Sequence, residues 1–166
     1  MEEPGQHDLW RQWFQEQGPR LLLCARLWTR SLADAEDVLQ EGFVRFWRHQ
    51  RHLGGDPQAL LVTSIRRAAW DLGRREGRRE AGELDQAGAS WFIEPPMEER
   101  DRHRLLEDAV RRLPDAQREV VVLKVWGGLT FDDIARELSI SPNTAASRYR
   151  YALETLRKEL TFLCHG

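Results

Sequence analysis

Apolar residues recur every three or four positions along almost the whole chain, and no stretch alternates convincingly between apolar and polar as a half-buried strand would. The pattern predicts helices and nothing else. Leu9 to roughly Trp28 reads as one helical stretch, with Gly18-Pro19 a candidate break. Ala33 to His49 is the strongest helix, with Ala35, Val38, Leu39, Phe43, Phe46 and Trp47 on its inward side. The glycines and proline of HLGGDP, His52 to Pro57, make a loop, and Gln58 to Arg75 makes the next helix. Gly77 to about Arg100 carries glycines, acids and Pro95-Pro96 and reads as a linker interrupted by the apolar island Trp91-Phe92-Ile93. Helices resume near Arg102–Leu113, Pro114–Trp126, Phe131–Leu138 and Pro142–Leu160. EVVVLKVW taken alone could pass for a strand, but its place between helices and the Gly127-Gly128 break favour a helix.

The expected fold is therefore all-α. Two small helical domains, residues 1–79 and 102–166, are joined by an acidic linker at 80–101. Each is large enough to hold a small core.

The last two helices carry the most information. Thr130 can cap the first, with Asp133 three residues on in capping-box register, and Ile134 and Leu138 give it an apolar face. Ser139-Ile140-Ser141 interrupts, and Ser141-Pro142 starts the second helix as an N-cap followed by a first-turn proline. From Asn143 to Tyr151 that helix has no acid but presents Asn143, Thr144, Ser147, Arg148, Arg150 and two tyrosines. A short helix, a tight turn and a longer cationic helix form a helix-turn-helix, which lays its second helix in the DNA major groove.

Charge changes the picture by its distribution. With 25 Lys+Arg against 27 Asp+Glu the formal net charge is −2, which excludes a uniformly basic nucleic-acid binder. Yet six arginines stand against two acids between Arg66 and Arg79, and seven acids against one arginine between Glu80 and Asp101. Such alternation marks separate surfaces for separate partners, or a linker that repels phosphate.

Metal and redox chemistry find little support. Cys24 sits in the apolar run LLLCA and reads as core, and Cys164-His165 lies at a terminus. Neither cysteine has zinc-ligand spacing, and His49-x-x-His52 alone is a weak signal. The acidic opening MEEPGQHDLW and the shortness of every apolar run give no signal peptide or membrane anchor, so a reducing cytoplasm is expected.

On its outward side the Ala33–His49 helix carries Asp37, Gln40, Glu41, Val44 and Arg48 in one stripe. DAEDVLQEGFVRFWR, Asp34 to Arg48, resembles the region-two motif of bacterial RNA polymerase sigma factors. Leu113 to Leu160 resembles their region four. Both motifs in this order, around a short acidic linker, resemble the extracytoplasmic-function group of the sigma-70 family over about residues 9–160.

The resemblance implies a transcription-initiation factor without enzymatic activity, cofactor or metal, that binds core RNA polymerase and promoter DNA. It implies that Asp37, Gln40, Glu41 and Val44 dock on the clamp coiled coil of the polymerase's largest subunit. It further implies that residues 49–57 and Ser64–Arg75 recognise and melt the −10 element. Cations for the strand's phosphates would then be Arg66, Arg67, Arg74 and Arg75. Trp70 is either a stacking face for an unpaired base or a core residue. For the −35 element the implied contacts are Asn143, Thr144, Ser147, Arg148, Arg150 and Tyr151.

There are departures from the family. It usually has asparagine at Arg67, which puts in doubt a base or phosphate contact carried by that amide. It often has a basic residue at Ala146 and commonly arginine at Tyr151, so fewer bidentate guanine contacts are available from those two sites. Ala145 and Ala146 could approach thymine methyls instead. Anti-sigma proteins are common in the family and would cover the same two surfaces. Roughly 21 linker residues at about 3.3 Å each reach about 70 Å, enough to span about 20 base pairs. Two rivals stand beside this reading. One is a helix-turn-helix regulator whose N-terminal half dimerises or senses a ligand. The other is a small helical enzyme using Asp34, Glu36, Asp37 and Glu41, whose spread around the helix argues against convergence.

Overall fold

A computed structural model describes residues 4–49, 56–76 and 97–165. These residues form seven α-helices and no strand. The chain separates into two compact units, Met1–Glu94 and Pro95–Gly166. Residues 50–55 with most of the expected HLGGDP loop, most of the expected linker with its Trp91-Phe92-Ile93 island, Arg78, Arg79 and the second histidine of His49-x-x-His52 lie outside the described residues.

In the first unit, α1 (Pro4–Trp28), α2 (Leu32–His49) and α3 (Pro57–Glu76) pack against one another in all three pairs. Helix α1 runs unbroken through Pro19, so the candidate break at Gly18-Pro19 does not form. Proline withholds one i→i−4 hydrogen bond. Burial on both sides of it, at Trp10 before and at Leu21, Cys24, Ala25 and Leu27 after, holds the helix together across that gap. Burial pushes the Cys24 thiol up to about 12, against a smaller opposing pull from Arg20, so this cysteine is an inert core residue.

Side-chain caps start both following helices. The Ser31 hydroxyl accepts from the Asp34 N–H at 3.0 Å, and Asp56 Oδ1 accepts from the Ala59 N–H at 3.2 Å with Pro57 just inside the helix. Helices α2 and α3 approach closely at Gly42. A Cβ there would lie 2.8 Å from Ile65 Cγ1 and 3.1 Å from the Ile65 Cα and N. Ala35, Val38, Leu39 and Phe46 are buried as expected, whereas Phe43 and Trp47 are only half-buried.

In the second unit, α4 (Met97–Arg111) begins inside the stretch expected to be linker. Its acids Glu98 and Glu99 fall in the first turn, where the helix dipole favours negative charge. For these two residues, charge that reads as linker composition is therefore helix-starting charge. Helix α5 (Asp115–Val121) continues into a π-helical turn, Val122–Trp126, so EVVVLKVW is helical as expected. Gly128 closes the following turn at φ +66°, a conformation that glycine reaches without Cβ strain. Helices α6 (Phe131–Leu138) and α7 (Pro142–His165) complete the unit. Val120–Leu123, Ile134, Ala152 and Leu156 fill its core.

Candidate nucleic-acid and docking interfaces

The helix-turn-helix is built by local capping. Thr130 Oγ1 accepts from the Asp133 N–H at 3.1 Å. Hydrogen bonding to Thr130, helped by Arg136, holds the Asp133 carboxyl below its ordinary range. Ser139 ends α6 in the left-handed region at φ 56°, and the Ile140 N–H reaches the Ala135 carbonyl at 3.0 Å. Ser141 Oγ then accepts from the Thr144 N–H at 3.1 Å and lies 2.8 Å from the Thr144 hydroxyl. The turn is locked from both sides, which fixes the direction in which α7 leaves it.

Along the first three turns of α7, Asn143, Arg150 and Tyr151 are exposed, while Thr144, Ser147 and Arg148 are half-buried. The Arg150 guanidinium lies 5.2 Å from the Tyr151 ring centroid. Thr144 is partly committed to the cap. Ala145 is fully buried, so the contact with a thymine methyl imagined for it is excluded; only the half-buried Ala146 remains in reach of a groove. The other face of α7 is anchored by Tyr149, edge-on to Phe131 at 5.6 Å, with Lys124 Nζ 4.6 Å from the Phe131 centroid.

On α3 the sequence left Trp70 undecided between core and surface. It is 55 % exposed. The guanidiniums of Arg66 and Arg74 each lie 5.9 Å from its ring centroid, at distances where cation–π attraction operates. Arg67, Arg74 and Arg75 are also exposed. Helix α3 thus presents one aromatic face bracketed by cations, a layout suited to a single nucleic-acid strand: phosphates on the arginines, a base on the ring.

On α2, Asp37, Gln40, Glu41 and Val44 are all exposed and share one side of the helix. Two features beside this stripe were not apparent from the sequence. The first is Arg45, whose Nη2 donates to Asp71 Oδ2 of α3 at 2.8 Å while its Nε donates to Glu41 Oε1 at 3.1 Å. The bond to Asp71, with a smaller contribution from Glu41, raises the Arg45 pKa further above its ordinary value despite partial burial. The second is an apolar groove of about 600 Å³ between α1 and α2, lined by Trp10, Phe14, Phe43, Val44 and Trp47 with Arg11 and Arg48 at its sides. Trp10 meets Trp47 edge-on at 5.4 Å and Phe14 meets Phe43 at 5.1 Å. The pairs Trp10/Phe14 and Phe43/Trp47, each four residues apart, were the available signal for this groove.

Among the described residues no group of three or more His, Cys, Asp and Glu could hold a metal ion, and no helix is long and apolar enough to cross a membrane.

Two family descriptions match the chain: Sigma-70 region 2 over residues 13–79 and Sigma-70, region 4 over residues 103–156. The ECF RNA polymerase sigma factor SigK of Mycobacterium tuberculosis is 30 % identical over 138 residues, covering 77 % of this chain and 73 % of the relative. The same figures hold for SigK of Mycobacterium bovis. SigL of Mycobacterium tuberculosis is 33 % identical over 137 residues, covering 80 % and 77 %. Among solved structures, the sigma factor RpoE, crystallised with the anti-sigma factor NepR from Bartonella quintana, matches with a TM-score of 0.67 at 21 % identity. It covers 92 % of this chain and 96 % of that one, a likeness that bears on the fold.

Proposed function

The chain belongs to the extracytoplasmic-function group of the sigma-70 family, and from that premise we propose how its faces divide the work of promoter recognition. As a sigma factor it recruits core RNA polymerase to promoters and starts transcription there. It acts as a positioning factor and does no bond chemistry of its own. Its place of work is the cytoplasm, beside polymerase and chromosome.

The first unit docks. Asp37, Gln40 and Glu41 offer two carboxylates and an amide to the clamp coiled coil of the largest subunit, and Val44 adds an apolar contact continuous with the groove. The same unit handles the melted −10 strand through α3. The second unit sets α7 into the major groove of the −35 element. Phosphate contacts there supply salt-sensitive affinity, and few base contacts supply choice. Arg148 is the α7 guanidinium assigned to a base or phosphate, with Asn143 and Ser147 as the shorter hydrogen-bonding groups. With Tyr151 in place of a cation, the preferred −35 element should depend less on bidentate guanine contacts. An inhibitory anti-sigma protein would gain most by covering the α2 stripe and α7 together.

The observation that carries the strand-handling assignment is Trp70, exposed and flanked by Arg66 and Arg74. An aromatic ring costs apolar exposure on a free surface and is useful there when a base covers it. Overexpression followed by mapping of transcript 5′ ends would reveal the shared upstream elements, and run-off transcription from such a promoter with purified core polymerase tests the reading. Transcription that starts only when the chain is added supports it. No stimulation, or tight duplex binding that core polymerase does not improve, overturns it.

A further inference from the structure

Asp71 poses a problem for the proposed strand-binding face. It adjoins Trp70 and stands three and four residues before Arg74 and Arg75, the spacing at which a helical carboxylate pairs with a guanidinium. A carboxylate left to choose among its own helix's cations would take one of them and turn it away from the strand. Left unpaired, it would instead place an uncompensated negative charge beside the phosphates. The structure shows neither arrangement. Asp71 Oδ2 is held at 2.8 Å by Arg45 Nη2 from the neighbouring helix, and the Arg74 guanidinium lies over Trp70. Arg45 is fixed in turn by Glu41, which accepts from its Nε at 3.1 Å, so the guanidinium is held at two of its nitrogens and has little freedom to leave. Its side chain is 28 % exposed, against 41 % for Asp71, so the pair is partly shielded from solvent.

We propose that Arg45 is a positioning residue for promoter opening: by occupying Asp71 across the α2–α3 crossing, it reserves Arg74 and Arg75 for the phosphates of the melted strand. The inference rests on the strand-handling role given above to α3. Arg45 itself need touch no nucleic acid. It acts by masking a carboxylate, and the consequence is unusual: losing the arginine should harm opening, and losing its partner as well should cure the harm.

The test uses holoenzyme assembled from core polymerase and the full chain, at saturating chain, on a promoter obtained by the transcript mapping. Open-complex occupancy is read by permanganate reactivity of unpaired thymines across a salt series. Arg45→Gln should lower occupancy about two- to fivefold, the range of one partly exposed ion pair. It should also lower the log–log salt slope by about 0.7, as expected when one fewer phosphate of a single strand is neutralised. Asp71→Asn should match the unaltered chain. The double variant Arg45→Gln/Asp71→Asn should return both occupancy and slope to that level, and Arg45→Lys should keep most of both.

A double variant as defective as Arg45→Gln would show that Arg45 matters by tying α2 to α3, and would overturn the proposal. So would an Arg45→Gln variant with unchanged occupancy and slope. If instead the unaltered holoenzyme fails to open the mapped promoter, the sigma-factor assignment itself falls, and the two failures are told apart by that control.

Discussion

Replacing Gly42 with alanine sets a gain in helix propensity against a clash, and the structure decides which prevails. Alanine is favoured over glycine inside a helix by about 1 kcal/mol. Against this, the new Cβ would sit 2.8 Å from Ile65 Cγ1 and 3.1 Å from the Ile65 Cα and N. The first clash can be relieved by turning Ile65 off its rotamer, at about 0.5–1.5 kcal/mol. The other two are with backbone and yield only if α2 and α3 move apart. That movement loosens the packing among Leu39, Phe46, Leu61, Val62 and Ile65, and overpacking of this kind costs about 1–3 kcal/mol. The net expectation is destabilisation of the first unit by about 1–2 kcal/mol.

For a unit of this size each kcal/mol shifts the midpoint by about 4–8 °C, so Gly42→Ala should melt roughly 5–15 °C lower. Tryptophan fluorescence follows this unit selectively, because six of the seven tryptophans precede residue 95. The second unit should melt unchanged, as read by the part of the helical circular dichroism that does not move with the fluorescence. A Gly42→Ala chain that melts at the same temperature or higher would refute the close crossing, since the propensity term would then act alone.

Three further outcomes follow from the faces described. Gln40→Ala combined with Glu41→Ala should weaken core-polymerase binding at least tenfold by calorimetry while leaving the melting curve nearly unchanged; unaltered affinity would remove α2 from the docking site. Arg148→Ala should cost about 1–3 kcal/mol of promoter binding and reduce run-off transcription in proportion, and a full transcript yield would displace α7 from the −35 element. Because hydrogen bonding to Thr130 depresses the Asp133 carboxyl, its contribution to the second unit is complete above the ordinary aspartate value near pH 4 and is lost as pH falls through the lowered one. The stability difference between Thr130→Val and the unaltered chain should therefore be present at neutral pH and shrink below about pH 4, as read by helical circular dichroism.

What the sequence disclosed and what it hid divide along the reach of the forces involved. The caps at Thr130 and Ser141 were legible because donor and acceptor lie three residues apart, and both form as read. The side taken by Trp70 was also within reach. Leu61, Val62, Ile65, Ala68 and Ala69 are the buried positions of α3 and define its inward arc, and Trp70 falls outside that arc. Ala145 joins Ala152 and Leu156 in a buried stripe at seven- and four-residue spacing, a period that could have withdrawn it from the DNA face. By contrast, the candidate break at Pro19 follows a sound local rule that burial on both sides overrides.

Gly42 and Arg45 were illegible for a different reason. Their partners, Ile65 and Asp71, lie 23 and 26 residues away, and nothing local selects them. Local rules would in fact have paired Asp71 with an arginine of its own helix. The two hidden features share one cause. Only a residue without a side chain lets α2 approach the α3 backbone this closely, and that approach brings Arg45, three residues further along α2, within reach of Asp71. A substitution that widens the crossing should then act twice, on stability through Ile65 and on promoter opening through Arg45. The second effect should disappear in an Asp71→Asn background while the first remains.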